Sequence, residues 1–64
     1  MYLKEGRCYK DREGSLWTCE QASVYDEGFL WCRDERGDMW LFTGDGRYIS
    51  SGNDHAYDLV EELP

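Results

Sequence analysis

Arginines set one or two residues from aromatic rings are the groups in this chain best suited to chemistry: Arg7 with Tyr9, Arg33 with Trp31, and Arg47 beside Tyr48. A guanidinium is planar, always charged and holds a phosphate through two parallel bonds, and it also stacks on rings. An indole or phenol face accepts a nucleobase, with stacking worth roughly 1–3 kcal/mol per base. Two stacked bases and two charge-assisted contacts would give useful affinity without an overall basic protein. Thr43, Ser50 and Ser51 are lesser candidates for hydrogen bonds to a sugar or phosphate. The competing reading packs Trp31 against a second copy of the chain and pairs Arg33 with Asp34 or Glu35, because interfaces are themselves enriched in Trp, Tyr and Arg. Both hold if a ligand sits between subunits.

Other constellations carry less. His55 lies near Asp58, but no nucleophile accompanies the pair, and an exposed loop histidine is the plainer account. Gly44-Asp45-Gly46 is too short for a phosphate-binding loop and precedes a strand, so it reads as a hairpin turn. Asp34, Asp38 and Asp45 lack calcium-loop spacing. Arg36-Gly37-Asp38 resembles an adhesion tripeptide and reads as a polar turn. Cys8, Cys19 and Cys32 with His55 lack the close ligand pairs of a structural zinc site. Three cysteines also leave one thiol over in any disulfide framework. They are expected to be small, reduced, buried apolar residues. No catalytic site, metal or cofactor is expected.

The elements that position these residues are short. Arg7–Lys10, Ser15–Gln21, Phe29–Arg33, Met39–Thr43 and Arg47–Ser50 alternate as strands, separated by turns at Asp11–Gly14, Asp34–Asp38 and Gly44–Gly46. The tail from Tyr57 to Leu63 is too short for a self-supporting helix and reads as a closing strand. No internal repeat stands out beyond this hairpin rhythm. The expectation is one domain over residues 1–64, all-β, a strongly curved antiparallel sheet or SH3-like barrel of five to six strands. Strand parity assigns Cys8, Trp17, Cys19, Leu30, Cys32, Trp40, Phe42 and Ile49 to the core. Arg7, Tyr9, Trp31 and Arg33 then fall on the opposite, working face.

Size and charge bound the rest. Ten aromatic residues (three Trp, five Tyr, two Phe) in 64 residues exceed what one side of a small sheet hides, so some are expected to cover a partner. Small domains often need help to be stable, and with disulfides and metal set aside a homo-oligomer is expected. A net charge of −7 argues against bulk nucleic-acid binding, which depends on neutralising many phosphates. It suits an acidic surface that attracts a basic protein. No apolar run approaches the length of a membrane span and no leader-like segment is evident, so a soluble, cytoplasmic protein is expected.

The order of motifs is itself informative: Gly6-Arg7-x-Tyr9, Asp11-Arg12-x-Gly14, Trp40, Asp45-Gly46-Arg47, then Tyr57-Asp58-Leu59-Val60-Glu61-Glu62. It resembles a group of very small bacteriophage proteins that open on a Gly-x-Tyr with an Arg-Asp-Gly turn and end on a Trp, an Asp-Gly-Arg turn and an Asp-Leu-Val-Glu-Glu tail. Here the first turn reads Asp-Arg-Glu-Gly, which departs from that pattern. Small phage proteins of this kind include inhibitors of host antiviral defence, among them oligomeric anti-CBASS sponges that sequester cyclic nucleotide signals. The resemblance implies a non-enzymatic anti-defence protein of the host cytoplasm that holds a cyclic nucleotide at a subunit interface; the residues expected to hold it, from the pairing of arginines with rings, are Arg7, Tyr9, Trp31, Arg33, Arg47 and Tyr48. The alternative is an acidic inhibitor that binds a host nucleic-acid-processing or defence enzyme.

Overall fold

The computed structural model describes residues 1–24, 27–49 and 54–64. Its regular elements are all strands: β1 (Cys8–Asp11), β2 (Leu16–Ala22), β3 (Phe29–Arg33), β4 (Met39–Thr43) and β5 (Leu59–Glu62). They form one antiparallel sheet in the order β4-β3-β2-β1-β5. β3 and β4 have the expected limits, and the tail is a closing strand. Arg47–Ser50 differs from expectation. It contributes only an isolated bridge between Tyr48 and Phe42, and Ser50 lies outside the described residues.

Turn chemistry fixes the hairpins. In Asp11–Ser15, Asp34–Asp38 and Thr43–Arg47 the first residue donates its N–H to the carbonyl of the fifth, at 3.0, 2.9 and 2.8 Å. The glycine at the fourth position donates back to the first carbonyl, at 3.0, 3.1 and 3.0 Å. This is a tight turn followed by a left-handed residue, the usual three-residue hairpin connection. Gly46 shows why glycine is required: its φ is +96°, and a Cβ there would sit 2.9 Å from the Leu59 carbonyl oxygen.

Two of these turns are the same structure written twice. Asp11-Arg12-Glu13-Gly14-Ser15-Leu16-Trp17 and Asp34-Glu35-Arg36-Gly37-Asp38-Met39-Trp40 share Asp-x-x-Gly-x-x-Trp. Each Asp Oδ1 accepts two backbone N–H bonds, from Glu13 and Ser15 in the first and from Arg36 and Asp38 in the second, all at 2.9 Å. Each Oδ2 accepts the indole Nε1–H, from Trp17 at 2.9 Å and from Trp40 at 3.0 Å. A repeat therefore does exist, against the sequence reading.

The sheet curls strongly. Register shifts in β2 between Cys19 and Gln21, and in β1 between Lys10 and Asp11, add local twist. Leu59 N–H donates to the Gly46 carbonyl and Leu3 N–H to that of Gly44, both at 2.8 Å, so the chain near β5 and the turn after β4 meet. Inside lie Leu3, Tyr9, Trp17, Cys19, Leu30, Cys32, Phe42 and Leu59, with Trp40, Tyr48 and Tyr57 packed against them. Cys8 and Tyr9 exchange the faces expected of them: Cys8 is exposed and Tyr9 fully buried. Tyr9 buries far more apolar area than a cysteine, and its hydroxyl accepts the Lys4 N–H at 2.8 Å, so the polar tip is satisfied. Ile49 is only half-buried and stands outside the core.

Candidate functional site

The six expected ligand residues do not converge. Arg7 pairs with Glu62 at 3.1 Å, Arg33 with Glu20 at 2.6 Å and Arg47 with Asp54 at 3.1 Å. Arg33 takes its partner from across the β2–β3 ladder rather than from Asp34 or Glu35. Those two are occupied elsewhere, Asp34 by its own turn and Glu35 by the Leu16 N–H at 2.9 Å. Tyr9 is sealed in the core, and half-buried Tyr48 belongs to a ring cluster with Phe42, Trp40, His55 and Tyr57. Only Trp31 and Arg33 stay together, on the outer face of β3, where Trp31 stands between Gln21 and Leu41. The Thr43 hydroxyl accepts the Arg47 N–H and donates to Asp45, so it builds its turn. Ser51, like Ser50, is outside the described residues.

His55 and Asp58 also build structure. The Asp58 carboxylate accepts N–H bonds from Tyr48 and His55 at 3.0 Å each, plus Arg12 Nε at 3.4 Å. Burial alone would raise its pKa, but these donors outweigh that and hold it below the usual carboxylate range. His55 Nδ1 accepts the Tyr57 N–H at 3.0 Å, and the ring rests 4.7 Å from Tyr48 and 4.9 Å from Tyr57 between centroids. The expected exposed histidine is thus half-buried, and its imidazole is not directed at the carboxylate.

A cleft opens where the two repeated turns lie side by side. Asp11, Ser15, Trp17, Asp34, Glu35, Arg36 and Tyr57 line a half-open cleft of about 140 Å³. Trp17 and Tyr57 supply aromatic walls, with ring centroids 5.4 Å apart. Three carboxylates and one guanidinium belong to its lining, which is net negative. For Asp34, burial acts to raise the pKa, but the bonds from Trp40, Asp38 and Arg36 prevail and lower it, keeping the group ionised. Drug-sized ligands occupy roughly 300–1,000 Å³. A cleft of this size suits the end of one long cationic side chain better than a whole cyclic dinucleotide. A cation there would meet the half-buried Asp34 and exposed Glu35 carboxylates beside the half-buried Tyr57 ring. None of Arg7, Tyr9, Trp31, Arg33, Arg47 or Tyr48 lines it. The signal that points to it in the sequence is the Asp-x-x-Gly-x-x-Trp repeat.

The sulfurs divide as well. Cys19 and Cys32 are buried with their Sγ atoms 2.8 Å apart, while Cys8 Sγ lies 3.7 Å from Thr18 Oγ1 on the exposed face. Among the described residues, no group of three or more His, Cys, Asp or Glu is placed to hold a metal ion. No helix among them is long and apolar enough to cross a membrane. In comparisons with protein families, curated proteins and solved structures, nothing matches this chain.

Proposed function

We propose that this chain is a non-enzymatic binding protein whose acidic, turn-bearing end receives a lysine or arginine side chain from a protein partner. The observation that carries this reading is the small cleft between the repeated turns, walled by Trp17 and Tyr57 and edged by Asp34 and Glu35. The chain's net charge of −7 draws such a partner in, since complementary fields chiefly speed encounter and select partners. Enzymes that handle nucleic acid carry clustered Lys and Arg to meet phosphate. An acidic cap on that surface would compete with the nucleic acid, which fits inhibition of a host defence enzyme by a phage product.

The test is titration of the ¹⁵N-labelled protein with a Lys/Arg-rich peptide, watching the Trp17 indole and Ser15 amide by NMR. Both signals should move, binding should weaken with salt, and Glu35→Lys should lower affinity about threefold to tenfold. Unmoved Trp17 and Ser15 signals, or an affinity indifferent to Glu35→Lys, would refute this reading.

A second reading, sequestration of a cyclic nucleotide between two copies, draws on Trp31 and Arg33, which share the outer face of β3 with Arg33 about half exposed. In the same experiment, cyclic di- and trinucleotides that shift Trp31 and raise the measured mass to that of a dimer would favour it. Absence of any response to the whole panel removes it.

A further inference from the structure

The two buried thiols occupy a position that the binding reading does not use. Cys19 and Cys32 are directly opposed in the β2–β3 ladder. Cys19 donates its N–H to the Arg7 carbonyl at 3.0 Å and accepts from the Gly6 N–H at 2.8 Å, so both of its backbone groups face away from β3. The Cys19–Cys32 pair is therefore a non-hydrogen-bonded one, the kind whose Cα atoms stand about 4.5 Å apart with side chains closest. That falls within the span of roughly 4.4–6.8 Å that disulfides bridge without backbone movement. The sulfurs point at each other within the core, Sγ to Sγ 2.8 Å, and both residues are fully buried. Cys8 is on the opposite face and cannot compete in the folded chain.

We propose that Cys19 and Cys32 are a reversible dithiol–disulfide couple, closed by a hydroperoxide, that clamps β2 to β3. The Cys19 thiolate attacks one peroxide oxygen, breaking the O–O bond and releasing hydroxide, to leave a sulfenic acid. The Cys32 sulfur then attacks the Cys19 sulfur. The S–O bond breaks and its oxygen leaves as water, taking up the Cys32 proton. In sum two thiols are oxidised to one disulfide and one hydrogen peroxide is reduced to two waters. The two sulfurs share one hydrogen bond, and the roles become unequal when Cys32 is its donor. That bond favours the Cys19 thiolate against the opposing effect of burial, whereas donation and burial both disfavour loss of the Cys32 proton. Hydrogen peroxide is close to water in size and enters through local opening of the sheet. Closing the loop from Cys19 to Cys32 restricts the unfolded chain, which is how such a bond stabilises.

The purified protein and a Cys8→Ser variant, each exposed to dilute hydrogen peroxide, provide the test. Thiol titration should fall from three to one in the parent and from two to none in the variant. Intact mass should drop by two hydrogens, peptide mapping should join Cys19 to Cys32, and the melting temperature should rise by on the order of 10 °C until a reductant reverses it. All thiols remaining titratable, a bond that maps to Cys8 in the parent, or oxidation that stops at sulfinic acid would overturn the proposal. A correct mapped bond with no reversal by reductant would overturn the reversible couple.

Discussion

The two repeated hairpins share one local lock and differ in what surrounds it. In the first, Asp11 and Trp17 are 3 and 2 % exposed, and Trp17 packs edge-on against Phe42 with centroids 5.0 Å apart. In the second, Asp34 and Trp40 are half-buried, and Trp40 meets Tyr48 and Tyr57 at 6.0 Å. The hydrogen bonds are alike: two amides on one carboxylate oxygen and an indole on the other. The conformation is thus written in the heptapeptide, while the cost of losing it is set by burial. Water can replace an acceptor at Asp34. At Asp11 it has little access, and the stranded donors keep their desolvation penalty.

The largest effect should separate the two tryptophans. Trp17→Ala empties a core site and should cost about 3–5 kcal/mol, whereas Trp40→Ala, at the rim, should cost roughly half that. Asp11→Ala comes next, at about 2–4 kcal/mol, because a buried indole N–H and two part-buried amides lose one carboxylate. Asp34→Ala should cost clearly less. Urea unfolding of the four variants tests the ordering. Equal losses at the paired positions would mean that the local lock, not its surroundings, sets stability.

Gly46 and Gly37 sharpen the same point at the next level down. Both close the same kind of turn with positive φ, +96° and +91°. Alanine at Gly37 meets nothing within 4 Å and carries only the backbone penalty, about 1 kcal/mol. Alanine at Gly46 adds a collision with the Leu59 carbonyl at 2.9 Å and contact with Met1 at 3.3 Å. It should therefore cost about 1 kcal/mol more, with lost hydrogen-exchange protection concentrated at the Leu59 amide, which donates to Gly46. A Gly46→Ala variant as stable as Gly37→Ala would show that the β5 junction yields freely.

Much of the fold is legible because strand alternation and glycine turns are local signals; β3, β4 and the closing tail strand follow from them. β1 follows as an element, shifted by one residue, but its faces do not, since parity ties Tyr9 to Arg7 and Arg7 precedes the strand. The competition between Cys8 and Tyr9 for the interior is decided by ring area and by a hydroxyl partner, the Lys4 amide, that no periodicity reveals. The arginines mislead for a different reason. Glu62 and Glu20, the partners of Arg7 and Arg33, arrive through sheet pairing, so the sequence shows the cations without the anions that hold them. The cleft was readable in part: Asp-x-x-Gly-x-x-Trp occurs twice in plain view, concealed by the Arg and Glu that change places between its fixed positions.

The smallest predicted effect is the acid response of the exposed lock. The Asp34 carboxyl is held below its usual range because the bonds from Trp40, Asp38 and Arg36 outweigh burial. A carboxyl depressed in the folded chain binds its proton more readily once unfolded. Its stabilising contribution is therefore complete above the unfolded value near pH 4 and is lost as pH falls through the lower, folded value. Asp45, lowered chiefly by the Thr43 hydroxyl, and Asp58, lowered by its donors against burial, act in the same window and the same direction. Asp34→Asn should lower stability slightly at neutral pH and flatten its fall below about pH 4 by at most one proton's worth of slope. Urea midpoints from about pH 6 down to 2.5 measure this. An unchanged slope would place the acid sensitivity at Asp45 and Asp58 rather than at the second lock.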